Sequence, residues 1–194
     1  MSDEVMHALE SLGLRTDSSA LPGIKFQELT QGYGCDWIGA PADPYFPSRY
    51  DYRRPATETA LEILEMPISL TKTPRLVRYI RPVIDRCRAI NRSPTQNEPM
   101  NIAKNPIFNR NGFRTALEAL KTERTQYILT SFHPCDVASS GLFSMQYLEY
   151  NIKYLLALCR AEGVKLTTMT ATEAADDFVS ASRDFSTQES ATLV

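Results

Sequence analysis

The sequence has no long apolar run, and this absence argues against a membrane-spanning helix. None of its apolar stretches reaches the roughly 18 residues that a membrane-spanning helix requires. The N-terminal segment, MSDEVMHALESLG, is acidic and amphipathic, unlike the basic and apolar start of a secretion signal. We therefore expect no membrane contact and a cytoplasmic location, or an exported one if an upstream segment carries the signal.

Cysteine and histidine are both scarce. The four cysteines, at positions 35, 87, 135 and 159, lie far apart and form no C-x-x-C pair. This spacing argues against a zinc knuckle or a redox dithiol, so we expect packing residues or unpaired thiols. The only histidines are His7 and His133, which cannot form a pair at helical spacing.

A strong charge bias is also missing. The chain has 21 basic and 23 acidic residues and a net charge of -2, so nothing overall favours binding to nucleic acid. A length of 194 residues suffices for one domain with a buried core. We expect this domain to cover residues 1–179 and the polar segment 180–194 to form a flexible tail.

What the sequence does contain is an alternation of helical and strand-like patterns. Predicted helices begin after Ser2, Thr73 and Ser144, near Phe113, and after Thr170, and the predicted strands cover 61–70, 127–132 and 166–169. Alternation of this kind predicts an α/β fold with parallel strands. Ligands of such folds bind beyond the carboxyl ends of the strands.

The helix after Thr73 has an apolar face and an arginine-rich remainder. We expect the apolar face to point into the core; it comprises Leu76, Ile80, Val83, Ile84 and Cys87. The arginines indicate either an anionic partner or an ordinary solvated helix face.

A second distinctive region, residues 30–57, is rich in proline, glycine and aromatic side chains. This composition predicts a long loop anchored by its rings rather than a regular element. Long loops inside a compact domain are often functional, although a surface flap held by its aromatic residues has the same composition.

The stretch YILTSFHPCDV places a histidine where a predicted strand ends. His133 is therefore the best catalytic candidate, and a structural strand-end histidine is the alternative. Asp136 could orient the imidazole or cap the following turn. Cys135 invites a nucleophilic Cys-His interpretation, but it is a poor partner for His133, because Pro134 separates the two residues.

Three segments together resemble the polysaccharide deacetylase family, of the NodB-homology or carbohydrate esterase family 4 type. They are SDEVMHALESLGLRTDSSALPG, ILTSFHPCDV and NIKYLLALCRAEGVKLTTMTATEAADDF, and they occur in the family's order over about residues 2–178. The resemblance implies a distorted (β/α) barrel that removes acetyl groups from N-acetylated sugars. It also implies a divalent metal, often zinc, held by one aspartate and two histidines.

The resemblance makes His133 the late histidine that protonates the leaving amine. From their own chemistry and position, we expect Asp36, Trp37 and Asp136 to contribute to substrate binding, because an aromatic face stacks well on a sugar and Asp136 lies three residues after His133. The carboxylate and ring of the pair at 36–37 would line the sugar site, or would serve only as a loop anchor.

The family's metal-binding motifs do not occur in this sequence. We therefore expect the C-terminal portion of a deacetylase, an incomplete barrel that binds no metal by itself. A complementary N-terminal half or a second copy would complete it, acting on a carbohydrate substrate. The alternatives are a non-catalytic carbohydrate-binding or assembly module, and a gene fragment without independent function.

Overall fold

The computed structural model describes residues 2–30, 32–92, 97–121, 125–132 and 142–191, with the backbone alone from 182 onward. Over these ranges the chain is a mixed α/β protein. Its helices are α1 (Asp3–Ser11), α2 (Arg75–Cys87), α3 (Pro106–Ala119), α4 (Met145–Ala161) and α5 (Ala171–Ala191). Its strands are β1 (Thr16–Asp17), β2 (Lys25–Glu28), β3 (Gly34–Asp36), β4 (Pro47–Ser48), β5 (Asp51–Pro55), β6 (Leu64–Glu65), β7 (Leu70–Lys72), β8 (Ile90–Arg92) and β9 (Asn97–Pro99).

Side-chain caps fix the starts of most helices. The Ser2 hydroxyl accepts a hydrogen bond from the Val5 amide at the start of α1, and Ser144 caps α4 in the same way through the Tyr147 amide. Before α5, Thr170 and Glu173 cap each other's amides reciprocally. The predicted starts of α1, α4 and α5 are confirmed.

The strands form several small sheets, and none of them closes into a barrel among the described residues. β1 and β6 pair in parallel, whereas β3-β2-β8, β4-β5 and β7-β9 are antiparallel. One further parallel bridge joins Asn101 to Ser131. The expectation of parallel strands is therefore confirmed for β1-β6 and for this bridge, and it is wrong for the antiparallel sheets.

The predicted strands are shorter than the sequence pattern indicates. The run 61–70 contains only β6 and the first residue of β7, and Pro67 lies between them, where it cannot donate a ladder hydrogen bond. Neither 127–132 nor 166–169 forms a named strand. Segment 127–132 is nevertheless hydrogen-bonded beside the β7-β9 sheet. The amide of Ser69, the residue before β7, donates to the Leu129 carbonyl at 2.9 Å.

The loop predicted at 30–57 also contains regular structure, namely β3 and the short β4-β5 hairpin. At the other end of the chain, α5 continues to Ala191 rather than ending near Val179. No glycine or proline interrupts residues 180–191, so nothing in the backbone chemistry stops the helix at the predicted boundary.

Three clusters of buried side chains form the interior. The first comprises Met6, Ala20, Trp37, Tyr52, Leu61 and Ile63; the second comprises Met100, Phe113, Leu117, Leu155 and Cys159; the third comprises Leu64, Met66 and Ala175. Alternate residues of the segment 61–66 belong to the first and third clusters, because successive side chains of a strand point to opposite faces. This segment is thus buried on both sides.

The predicted orientation of α2 is wrong. No residue of α2 is buried, and its apolar side faces solvent. Its polar side packs on the domain instead, because Arg81 pairs with Glu98 and Asp85 pairs with Arg92.

Within the part of the chain that the structure describes, no helix is sufficiently long and apolar to cross a membrane.

Candidate functional site

The parallel pair β1-β6 brings two acidic residues together at its carboxyl end. Asp17 lies directly opposite Glu65 in the register of the two strands. Side chains opposite each other in a pair of strands point to the same face, so the two carboxyl groups are neighbours. The carboxyl ends of parallel strands are also where α/β proteins commonly bind ligands.

Glu65 is fully buried, and its carboxyl group is only partly satisfied. Oε1 accepts a hydrogen bond from the Ala20 amide at 2.9 Å. Oε2 has no hydrogen-bond partner of normal geometry among the described residues. Burial, followed by the negative charge of Asp17, raises the pKa of Glu65 to about 9. Glu65 therefore carries a proton at neutral pH.

Asp17 is half-buried and forms the more accessible member of the pair. The Ser19 hydroxyl donates to Asp17 Oδ2 at 2.6 Å, within the turn that follows β1. A protonated carboxyl group beside a second, hydrogen-bonded carboxylate is an arrangement that can hold or transfer a proton. We refer to Asp17 and Glu65 as the carboxyl pair.

A second polar cluster lies at β9 and the start of α3. Glu98 is buried, and its Oε2 accepts from Arg81 at 2.8 Å and from Lys104 at 2.7 Å. The ammonium group of Lys104 also lies 4.0 Å from the centre of the Phe108 ring. One carboxylate oxygen thus compensates two cations in a site that is largely shielded from water.

Buried amides extend this second cluster toward the loop before α4. Asn151 donates from Nδ2 to the carbonyl oxygens of Ile102 and Lys104, each at 2.8 Å. Asn109 donates to the Asn101 carbonyl at 2.8 Å. These bonds fix the segment 101–105, to which Ser131 and residues 142–144 are also hydrogen-bonded or bridged.

Two of the predicted site residues, His133 and Asp136, lie outside the described residues. Asp36 lies at the end of β3, where its carboxylate pairs with Lys25 at 2.7 Å and with Arg53 at 3.6 Å. The hydrogen bond from Lys25 lowers the pKa of Asp36. Asp36 is therefore an ionised partner in a surface network.

Trp37 lies inside the first cluster, where its side chain is 1% exposed. Its ring packs edge-on against Tyr52, with a distance of 4.8 Å between the ring centres. In this conformation the indole presents no free face to a sugar, and its contacts match those of a loop anchor. The exposed aromatic residues of the same region are Tyr33, Phe46 and Tyr50.

The described residues offer no set of metal ligands. They include no group of three or more histidine, cysteine, aspartate or glutamate side chains placed to hold an ion. The described histidine, His7, lies in α1 and its Nε2 is 3.0 Å from the carbonyl oxygen of Arg49. Since a carbonyl can only accept, Nε2 carries the proton and His7 ties α1 to the β4-β5 turn.

Sequence reasoning missed the carboxyl pair and the Glu98 cluster. The available signal for Glu65 was an acidic residue within the largely apolar run LEILEMPISL. The pairing of that residue with Asp17 is a contact between distant parts of the chain, for which the sequence pattern alone gives no sign.

Comparison of this chain with family models, with curated proteins and with solved structures yielded no match.

Proposed function

We propose that this chain is the later portion of a polysaccharide deacetylase-like hydrolase, acting on the amide of N-acetylated sugars. The observation that carries the proposal is the ordered resemblance of three sequence segments to that family. His133 would give a proton to the leaving amine, with Asp136, Asp36 and Trp37 near the substrate. For Trp37 this role requires the loop to open, because the ring is buried as described.

The fold is compatible with the proposal at a coarse level. The first of the three segments forms α1, a turn and β1, which ends at Asp17 beside a parallel strand. Under the proposal, the remaining strands of a distorted (β/α) barrel come from a complementary half or a second copy. The parallel pair would then be a part of the barrel wall.

The metal of the family does not fit the described residues of this chain, because they contain no suitable ligand set. The aspartate and the two histidines would be contributed by the complementary half. For the location we propose the cytoplasm, since the described cysteines Cys35, Cys87 and Cys159 are free thiols.

The test is acetate release from N-acetylglucosamine oligomers in the presence of zinc. We expect no turnover by this chain alone. Turnover should appear when a polypeptide carrying the family's Asp-Asp and histidine motifs is added, and it should be lost in His133→Ala. His7→Ala is the matched control, because this histidine bonds the Arg49 backbone carbonyl and is not one of the proposed site residues. Robust turnover by the chain alone would refute the missing-ligand part of the proposal.

A non-catalytic carbohydrate-binding module is the second candidate, and the exposure of the loop aromatics favours it. Tyr50 is 81% exposed and Tyr33 is 54% exposed, so their ring faces are available to stack on a sugar. Calorimetric titration with an N-acetylglucosamine oligomer would test this function. Binding that is lost in Tyr50→Ala, without any hydrolysis, would support it.

A further inference from the structure

Helix α2 presents its apolar side to solvent along its whole length. Leu76 is 73% exposed, Tyr79 is 81% exposed and Val83 is 63% exposed. Ile80 and Ile84, which lie beside them on the helix surface, are also exposed. We refer to these five residues as the α2 stripe. The stripe runs from Leu76 to Ile84 and is about 12 Å long, within a 13-residue helix of about 20 Å.

The outward orientation of the stripe is fixed by ion pairs on the opposite side of the helix. Arg81 Nη2 lies 2.8 Å from Glu98 Oε2, and this carboxylate is almost completely shielded from solvent. Arg92 Nε lies 3.4 Å from Asp85 Oδ2 at the end of the helix. Turning the stripe inward would break both pairs and leave Glu98 without one of its two cations. The exposure of the α2 stripe therefore follows from the way in which the opposite side of α2 packs on the domain.

The charges around the stripe are positive. Arg75 lies four residues before Tyr79 and Arg86 three residues after Val83, so each neighbours the stripe on the helix surface, and both are exposed. Arg88 follows the helix and is exposed as well. The single acidic residue of α2, Asp85, is already paired with Arg92. A cationic border along an exposed apolar stripe is the pattern of a helix that lies in a membrane interface.

We propose that α2 binds the surface of an anionic lipid bilayer, with the α2 stripe in the interface and the bordering arginines at the lipid phosphates. The planar guanidinium group matches phosphate geometry, and basic residues near a surface are attracted to anionic lipid. Such a helix lies on the membrane surface and does not cross the bilayer. This proposal does not depend on the proposed enzymatic function. It replaces the expectation of no membrane contact, which was based only on the lack of a long apolar run.

The test is co-sedimentation of the full chain with vesicles. Vesicles of phosphatidylcholine containing one quarter phosphatidylglycerol should bind the protein about tenfold or more tightly than vesicles of pure phosphatidylcholine. Added salt should weaken the binding, because surface charges are screened. The double variant Leu76→Asp/Val83→Asp should lose at least about tenfold in affinity. Its matched control is Ile107→Asp, since Ile107 is an apolar residue of α3 with similar exposure.

The charge contribution is tested separately. Arg75→Gln/Arg86→Gln should reduce binding to the anionic vesicles and flatten its salt dependence, whereas the exposed Arg114→Gln on α3 should not. Emission from the buried Trp37 and far-ultraviolet circular dichroism verify that each variant is folded. Equal binding of the parent and the Leu76→Asp/Val83→Asp variant would overturn the proposal. Failure of the parent protein to bind anionic vesicles would overturn it as well, and a dimer that dissociates in that variant would then show that a second copy covers the stripe.

Discussion

At the scale of single residues, the burial of Glu65 couples folding to pH. Glu65 keeps its proton up to a pKa of about 9, whereas the ordinary glutamate value is 4.5. Between these values the folded state binds more protons than the unfolded state. The free energy of unfolding therefore falls as pH rises through this range, and the contribution of the neutral form is complete only below it.

Glu65→Gln should remove this dependence, because glutamine is neutral and keeps an acceptor for the Ala20 amide. We expect the variant to be more stable than the parent near pH 8.5, by roughly 1–3 kcal/mol, with the difference shrinking toward pH 5. Urea denaturation at several pH values measures this. Glu62→Gln, on an exposed neighbour, should leave the pH profile unchanged. Parallel profiles for the parent and Glu65→Gln would mean that Glu65 is ionised in the fold.

The Glu98 cluster gives a second expectation at this scale. Glu98→Gln leaves Arg81 and Lys104 partly buried without their counterion, so it should destabilise the fold by about 3–5 kcal/mol. The comparison is Glu149→Gln, which breaks an exposed pair with Lys153 and should cost less than about 0.5 kcal/mol. Thermal and chemical denaturation of both variants would show the contrast, and equal effects would contradict it.

A third expectation concerns Trp37. Trp37→Ala removes a fully buried ring from the first cluster and should cost about 3–5 kcal/mol. Loss of sugar binding in this variant would therefore reflect unfolding, whereas Tyr50→Ala should leave stability within about 0.5 kcal/mol. Measuring stability and binding on both variants separates the two causes. A stable Trp37→Ala protein that no longer binds sugar would restore Trp37 as a contact residue.

The sequence could indicate that this region contains a buried acid, but not which one. Glu62 and Glu65 both interrupt the apolar run 61–68, and only Glu65 is buried. The distinction arises because β6 is covered on both faces, by the first and the third clusters. Strict alternation of apolar and polar residues predicts a strand with one face exposed to solvent. It therefore cannot identify a strand that is buried on both faces.

At the scale of elements, α3 packs closely on β7, and one glycine makes this possible. A Cβ atom on Gly112 would lie 2.8 Å from Met100 Sδ and 3.2 Å from the Leu70 carbonyl oxygen. Thr71 Oγ1 also donates to the Phe108 carbonyl of α3 at 2.5 Å, so the helix cannot withdraw without losing this bond.

Gly112→Ala should therefore destabilise the protein by about 1–3 kcal/mol, although alanine is the better helix former by about 1 kcal/mol. Asn111→Ala, at the exposed neighbouring position, should be neutral or slightly stabilising. Chemical denaturation of both variants provides the measurement. Stabilisation by Gly112→Ala would show that α3 and β7 are further apart than described.

Helix starts were predictable and strands were not, for a physical reason. A cap such as Ser144, or the Thr170 and Glu173 pair, acts within three residues, so the sequence contains both partners side by side. A strand pairing such as Phe26 with Arg92 joins distant segments, and no local pattern encodes it. The prediction for the orientation of α2 was wrong for the same reason. The orientation depends on the ion pair with Glu98, which lies outside the helix in the sequence.

At the scale of the whole molecule, the α/β class was predictable, while the sheet arrangement was not. Alternating helical and extended patterns are spread along the entire chain and do not depend on any single pairing. The mainly antiparallel pairings depend on short strands of two to five residues, whose register is set by contacts over long sequence distances. A closed barrel stays a prediction. The acetate-release assay with an added complementary polypeptide addresses it.

The position of Trp37 has a practical consequence for following the unfolding of this protein. It is the only tryptophan of the chain, and it belongs to the cluster around α1 and β5, while the cluster between α3 and α4 contains none. Its fluorescence therefore reports on the N-terminal part, while the helical circular dichroism signal comes mostly from the later part. If the two optical signals change at different denaturant concentrations, the two parts unfold independently, and if they coincide, the two parts unfold as one cooperative unit.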